Sequence, residues 1–249
     1  MMNLRLVTLT GADDGSDPNE LVRLSEKYPF VEWGILVSAK QMGSTRFPSS
    51  SWMRGLAAAV QGKNIGLAVH VCGRWVRDII SGRFPKDLAE LPMPWDNVKR
   101  FQLNFHAEKH DFNNDIIRVL EEQPFEGRQI IFQYDSVNED DIEELPLCKW
   151  NGNAPLFDMS HGAGVLPSNW PKASSSPGYV FYGYAGGLGQ DCLPAQLDPI
   201  SAAAEDKPFW IDMETKLRTG KDSMFDFQKC EACLDACAPF VKEPGIVGI

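Results

Sequence analysis

The chain has 249 residues, of which 43% are hydrophobic and 23% charged, and its net charge is −10. That composition gives a packed globular core, and the acidic balance excludes a general attraction for nucleic acid or an anionic membrane. Residues 1–14 lack the apolar run of a signal peptide, no stretch reaches the length of a membrane span, and the six cysteines are scattered. The expectation is therefore a soluble cytoplasmic protein with reduced thiols.

Leu4–Thr10 (LRLVTLT) reads as a first strand. Asp17-Pro18-Asn19-Glu20 follows with a cap, a proline at the first helical position and a capping-box glutamate, so Leu21–Lys27 reads as helix. A second strand, Val31–Ser38, leads through the loop AKQMGSTRFPS into a helix at Ser51–Val60. A third, Ile65–Val71, precedes a helix around Arg74–Ser81, and a fourth, Val98–Phe105, precedes one at Asn113–Glu122. The fifth is Gln129–Tyr134, followed by an acidic helix at Glu139–Leu145. The sixth, Pro155–Asp158, is short and opens into a long loop, Met159–Gly178. The seventh, Tyr179–Ala185, precedes a helix at Leu193–Ala204, and the eighth, Phe209–Met213, precedes a closing helix at Asp226–Cys237.

Strands alternating with helices indicate a parallel sheet. Eight such units in this length fit one (β/α)8 TIM barrel of residues 1–249. An open doubly wound sheet is the competing architecture, but no G-x-G-x-x-G follows the first strand. In a barrel the site lies at the C-terminal strand ends. Polar residues stand there, many in i, i+2 pairs that share a face of the strand: Thr8 and Thr10, His70 and Cys72, Asn104 and His106, Gln133 and Asp135, Tyr182 and Tyr184, Asp212 and Glu214, with Ser38 and Asp158 single.

The seventh strand ends in YGYAGGLG (Tyr182–Gly189). Glycine there weakens a strand, and one reason to keep it is a ligand close to the backbone. Amides of Gly186 and Gly187, with Gly164 of the HGAG segment after strand six, would suit a phosphate at the loops that often bind one. A tight turn without a ligand explains the glycine pair as well.

Several stretches in register resemble the phosphoribosylanthranilate isomerase family, a TIM barrel of tryptophan biosynthesis. They are GSTRFPS (Gly43–Ser49), LAVHV, FQLNFH (Phe101–His106), LFDMSHGAG with Trp170, and YAGGLGQDCL (Tyr184–Leu193). The resemblance implies an Amadori rearrangement of a phosphorylated aminoaldose to a ketose. Asp158 matches the family's general acid, and Arg46 matches a residue that faces the substrate. Where the family has its catalytic cysteine this chain has Thr10-Gly11, and where it has S-G-V-E this chain has Asp212-Met-Glu-Thr215. A threonine hydroxyl needs a partner base to replace a thiolate.

His70 stands as a substitute base or substrate ligand, Glu214 as a proton-transfer group, and Asn104, His106 and Asp212 as substrate ligands. The run Cys230-x-x-Cys233-x-x-x-Cys237 shares one helical face, and buried thiols explain it better than zinc. Asp13, Asp14 and Asp17 read as a solvated turn and a helix cap. The expectation is an isomerase with Asp158 as acid, needing no cofactor or metal, acting on a phosphorylated small molecule as a monomer or homodimer, without nucleic-acid or membrane partners. The alternatives are a phosphosugar-binding barrel without turnover and a sugar-phosphate lyase or aldolase, the latter disfavoured by the lack of a strand-end lysine.

Overall fold

The computed structural model describes residues 2–104, 116–137, 152–160, 163–173, 179–220 and 224–248. Eight parallel strands close into a barrel in sequence order: β1 (Leu4–Thr10), β2 (Val31–Ser38), β3 (Gly66–Cys72), β4 (Val98–Leu103), β5 (Gln129–Tyr134), β6 (Asn153–Asp158), β7 (Tyr182–Ala185) and β8 (Phe209–Met213). The last strand pairs with the first, Thr8 opposite Asp212. Closure settles the choice against an open sheet.

Alternation along each strand splits the core in two. One set of residues points outward under the helices: Val7 and Leu9, Trp33 and Ile35, Val69 and Val71, Phe101 and Leu103, Tyr182 and Tyr184. The other set fills the barrel, where Leu6, Ile131, Ala154, Leu156, Phe181 and Trp210 form a separate apolar layer. Ile246 and Val247 of the C-terminal tail pack against that layer, and Gln129 Nε2 donates to the Val247 carbonyl at 3.0 Å. The tail thus seals the mouth opposite the strand C-termini.

This parity corrects one expectation. Tyr182 and Tyr184 face the helices, not the mouth: their hydroxyls donate to the Tyr179 and Pro171 carbonyls at 2.8 and 3.3 Å. They share parity with the outward residues, whereas Gly183 and Ala185 face inward.

Above the apolar layer the barrel carries a buried ion pair. Arg100 Nε donates to both carboxylate oxygens of Glu32, at 2.9 and 3.1 Å, and the guanidinium lies 4.4 Å from the Trp210 ring. Thr8 Oγ1 donates to Glu32 Oε2 at 3.0 Å. Arg and Glu are tolerated here because each is matched and the indole face adds a cation–π contact.

The helices begin where capping chemistry places them. Asp17 caps Pro18–Lys27 by accepting from Asn19 N, Ser49 caps Ser50–Val60 by accepting from Trp52 N, and Asp226 caps Phe227–Cys237. Between β3 and β4, Arg74–Ile80 is followed by a short helix at Lys86–Ala89 that the sequence did not signal. Ile116–Leu120 lies within the stretch expected to be helical, and Leu193–Ala203 follows β7. Cys230, Cys233 and Cys237 are all fully buried on the inner face of the last helix. The helix expected at Glu139–Leu145 lies outside the described residues.

Candidate functional site

A cavity of about 250 Å³ opens at the C-terminal ends of the strands. Asp158, Ala185 and Asp212 occupy one row across β6, β7 and β8, all facing the cavity. Two strand spacings separate the two aspartates, roughly 9–10 Å between backbones. The single small Ala185 between them leaves space for a ligand.

The two carboxyls have different surroundings. Asp158 accepts three hydrogen bonds: Ser160 N and Oγ donate to Oδ1 at 2.8 and 2.7 Å, and Gln133 Nε2 donates to Oδ2 at 2.8 Å. Its orientation is fixed by those donors. Asp212 is 7% exposed and accepts from Thr10 Oγ1 at 2.8 Å. Burial pushes its pKa up to about 8; Thr10 opposes the shift, and the carboxylates of Glu214, Asp158 and Glu32 add to it. At neutral pH Asp212 therefore holds a proton.

Thr10 and His70 do not line the cavity; they support it from below. Thr10 is fully buried and His70 is 1% exposed. His70 Nδ1 stands 4.0 Å from Asp212 Oδ2. Burial, with the Arg100 charge, takes its pKa down to about 3, so this is a contact between two neutral groups and not an ion pair. Gly34 makes the arrangement possible. A Cβ there would stand 2.1 Å from Thr10 Oγ1 and 2.9 Å from the His70 ring.

Glu214 lines the cavity and pairs with Arg46 Nη1, which also donates to Thr215 Oγ1 at 3.2 Å. Arg46 adopts a φ of +72°, and its N–H donates to Asp13 Oδ2 at 2.8 Å. A non-glycine residue in that region signals a constrained position. Asp13 is not the solvated turn residue expected from sequence. It is 6% exposed and forms a buried salt bridge with Arg218 at 2.7 Å. The long-range partner, more than two hundred residues away, left no local trace.

On the opposite wall Asn104 Oδ1 accepts from Gln102 Nε2 at 2.9 Å, and Asn104 Nδ2 donates to Cys72 Sγ at 3.3 Å. Burial and the nearby Glu214 push the Cys72 thiol up to about 12, so it is no nucleophile. His106 lies outside the described residues.

Gly164, Gly186 and Gly187 line the cavity together, with φ of +68°, +109° and +64°. Their lack of a side chain has a packing reason. A Cβ on Gly187 would meet Leu166 N at 2.5 Å, and one on Gly164 would meet Thr215 at 2.9 Å. The backbone adds a second feature. The N–H groups of Gly187, Leu188 and Gly189, all buried, meet no acceptor among the described residues. Buried amides are normally paired, so such a run suits an anion or an ordered water.

A second cavity of about 420 Å³ shares Gly164, Gly187, Thr215 and Lys216 with the first. It adds Gly189, Cys192, Arg218 and Lys229, at the start of the helix Leu193–Ala203. Sequence reading missed Gln102, Ser160, the Glu32–Arg100 pair and these cations. The i, i+2 spacing of Gln102 and Asn104 was the available signal for the first. Among the described residues no group of three or more His, Cys, Asp or Glu is placed to hold a metal, and no helix is long and apolar enough to cross a membrane.

No protein-family model matches the chain, and no curated protein matches it. Solved structures do. A 3-hexulose-6-phosphate synthase is similar at 9% identity and a TM-score of 0.49, over 94% of this chain and 99% of that one. Aspergillus clavatus Sph3 in complex with GalNAc is similar at 12% identity and 0.48, over 96% and 99%. A GH113 beta-1,4-mannanase is similar at 13% identity and 0.43, over 98% and 88%. At these identities and TM-scores nothing about activity carries over from them.

Proposed function

We propose that the chain is a proton-transfer enzyme acting on a small phosphorylated sugar derivative, an aldose–ketose isomerase related in chemistry to phosphoribosylanthranilate isomerases. The observation that carries this reading is the pair Asp158 and Asp212: two carboxyls in one row on one cavity, the first held by three hydrogen-bond donors and the second buried with a raised pKa. Such a pair divides naturally into donor and acceptor.

The motif resemblance gives Asp158 the acid role. The surroundings favour the reverse. Asp212 keeps its proton at neutral pH, whereas Asp158 is encircled by donors. In this scheme Asp212 protonates the ring oxygen as the bond from carbon 1 to that oxygen breaks. Asp158 then takes the proton from carbon 2 to give an enol, which becomes the ketose as that proton is returned to carbon 1 and the carbon 2 hydroxyl gives up its own to water. Thr10 positions Asp212 and stands in for the family's thiolate only through it. The phosphate would rest on the amides of Gly187, Leu188 and Gly189, beside Lys216.

The loss of the cysteine favours a second reading, a phosphosugar-binding barrel without turnover. One experiment separates them. Purified protein is given phosphoribosylanthranilate and, separately, phosphorylated aldoses, with product followed by fluorescence or by ketose assay. Turnover that Asp158→Asn and Asp212→Asn each reduce at least a hundredfold supports the enzyme. Binding without turnover on every probe rules it out.

A further inference from the structure

We propose that Gln102 is the residue that recognises a substrate hydroxyl at the wall of the cavity, and that it sets a preference for hydroxylated over deoxy sugars. This rests on the reading of the cavity as a sugar-phosphate site. Gln102 lies on β4, is 3% exposed and lines the cavity wall. Its Oε1 is buried and has no hydrogen-bond partner among the described residues. A buried acceptor without a partner is uncommon, and at a cavity wall it is a position that a ligand donor fills.

The amide belongs to a chain of hydrogen bonds with its neighbours. Gln102 Nε2 donates to Asn104 Oδ1, and Asn104 Nδ2 donates to Cys72 Sγ, whose own proton points to the His70 carbonyl at 3.8 Å. One hydrogen of each amide is spent on the next group, and the Gln102 carbonyl oxygen is left for the ligand. The group it accepts from is neutral, because Gln102 carries no charge to offset a buried cation, and on a sugar that group is an O–H.

Asp212, Asp158 and Gln102 then make different demands on one small polyol. Asp212 offers a proton, Asp158 accepts one, and Gln102 accepts a hydrogen bond without exchanging protons. A ligand that lacks the hydroxyl leaves the Gln102 oxygen unpaired, which discriminates more strongly than shape alone.

Calorimetric titration with ribose 5-phosphate, 2-deoxyribose 5-phosphate, 3-deoxyribose 5-phosphate and inorganic phosphate tests this. In the native protein at least one deoxy probe should bind tenfold or more weakly than ribose 5-phosphate. In Gln102→Leu that difference should vanish, ribose 5-phosphate affinity should fall at least tenfold, and inorganic phosphate should bind unchanged. Gln102→Met serves if the leucine variant does not fold. Equal binding of the three sugar phosphates by the native protein, or binding of none of them, overturns the proposal, as does a deoxy penalty that survives in the variant. Turnover is scored separately. Hydroxyl discrimination without isomerisation sinks the isomerase reading and leaves the role of Gln102 intact.

Discussion

Thr10 Oγ1 donates to Asp212 Oδ1 at 2.8 Å, across the seam where the last strand meets the first. The bond links residues two hundred positions apart. It places a buried carboxyl where the family resembled in sequence has a thiolate, and it ties barrel closure to the candidate chemistry.

Asp212 and His70 set opposing trends in stability with pH. The Asp212 pKa is raised from 3.8 to about 8, so its contribution is complete below about 4 and is lost as pH rises through 8. The His70 pKa is lowered from 6.5 to about 3, so folding is penalised as pH falls below 6.5. Between 4 and 6.5 the two slopes cancel. From 6.5 to 8 Asp212 alone should lower stability by about 1.4 kcal/mol per unit at most. Urea unfolding across pH checks this: Asp212→Asn should remove the decline above 6.5.

Catalysis should follow the same group. With Asp212 as the proton donor, turnover falls as pH rises past about 8. A pH–rate profile with no basic limb near that value would sink the assignment. In Asp212→Asn the limb should disappear together with most of the activity.

Gly34→Ala should destabilise the barrel by about 1–3 kcal/mol, because the new methyl overlaps Thr10 Oγ1 and the His70 ring. Both neighbours are buried and neither can swing into solvent. The denaturation midpoint reports the loss. A variant as stable as the native chain would mean that the two side chains part without penalty.

Arg218→Met should be the most damaging of these changes, by about 3–5 kcal/mol, since it strands Asp13 as a buried charge. Asp13 also holds the Arg46 backbone. Ligand affinity should therefore fall further than in a control destabilised equally elsewhere, which calorimetry on folded protein resolves.

Deleting residues 245–249 removes Ile246 and Val247 from the inner apolar layer. About 1–3 kcal/mol should be lost, given the partial burial of both side chains. Trp210 lies in that layer, so its near-ultraviolet dichroism should change while ligand binding at the far mouth persists.

The sequence by itself determined the eight-unit order, the capped helix start at Asp17, and the grouping of Asp158, Asp212, Glu214 and Arg46 at one end. Those features are local: a strand period, a cap or a strand-end position is written within a few residues. Whether polar strand residues face the mouth was only half legible, since Tyr182 and Tyr184 follow the opposite parity to Ala185. The tertiary structure decided the rest. It made Asp13 the partner of Arg218, put Glu32 against Arg100, set Thr10 under Asp212 and lifted the pKa of that carboxyl. Burial and long-range pairing arise only when the ring of strands closes, and it is those two quantities that give the carboxyls of one row different surroundings.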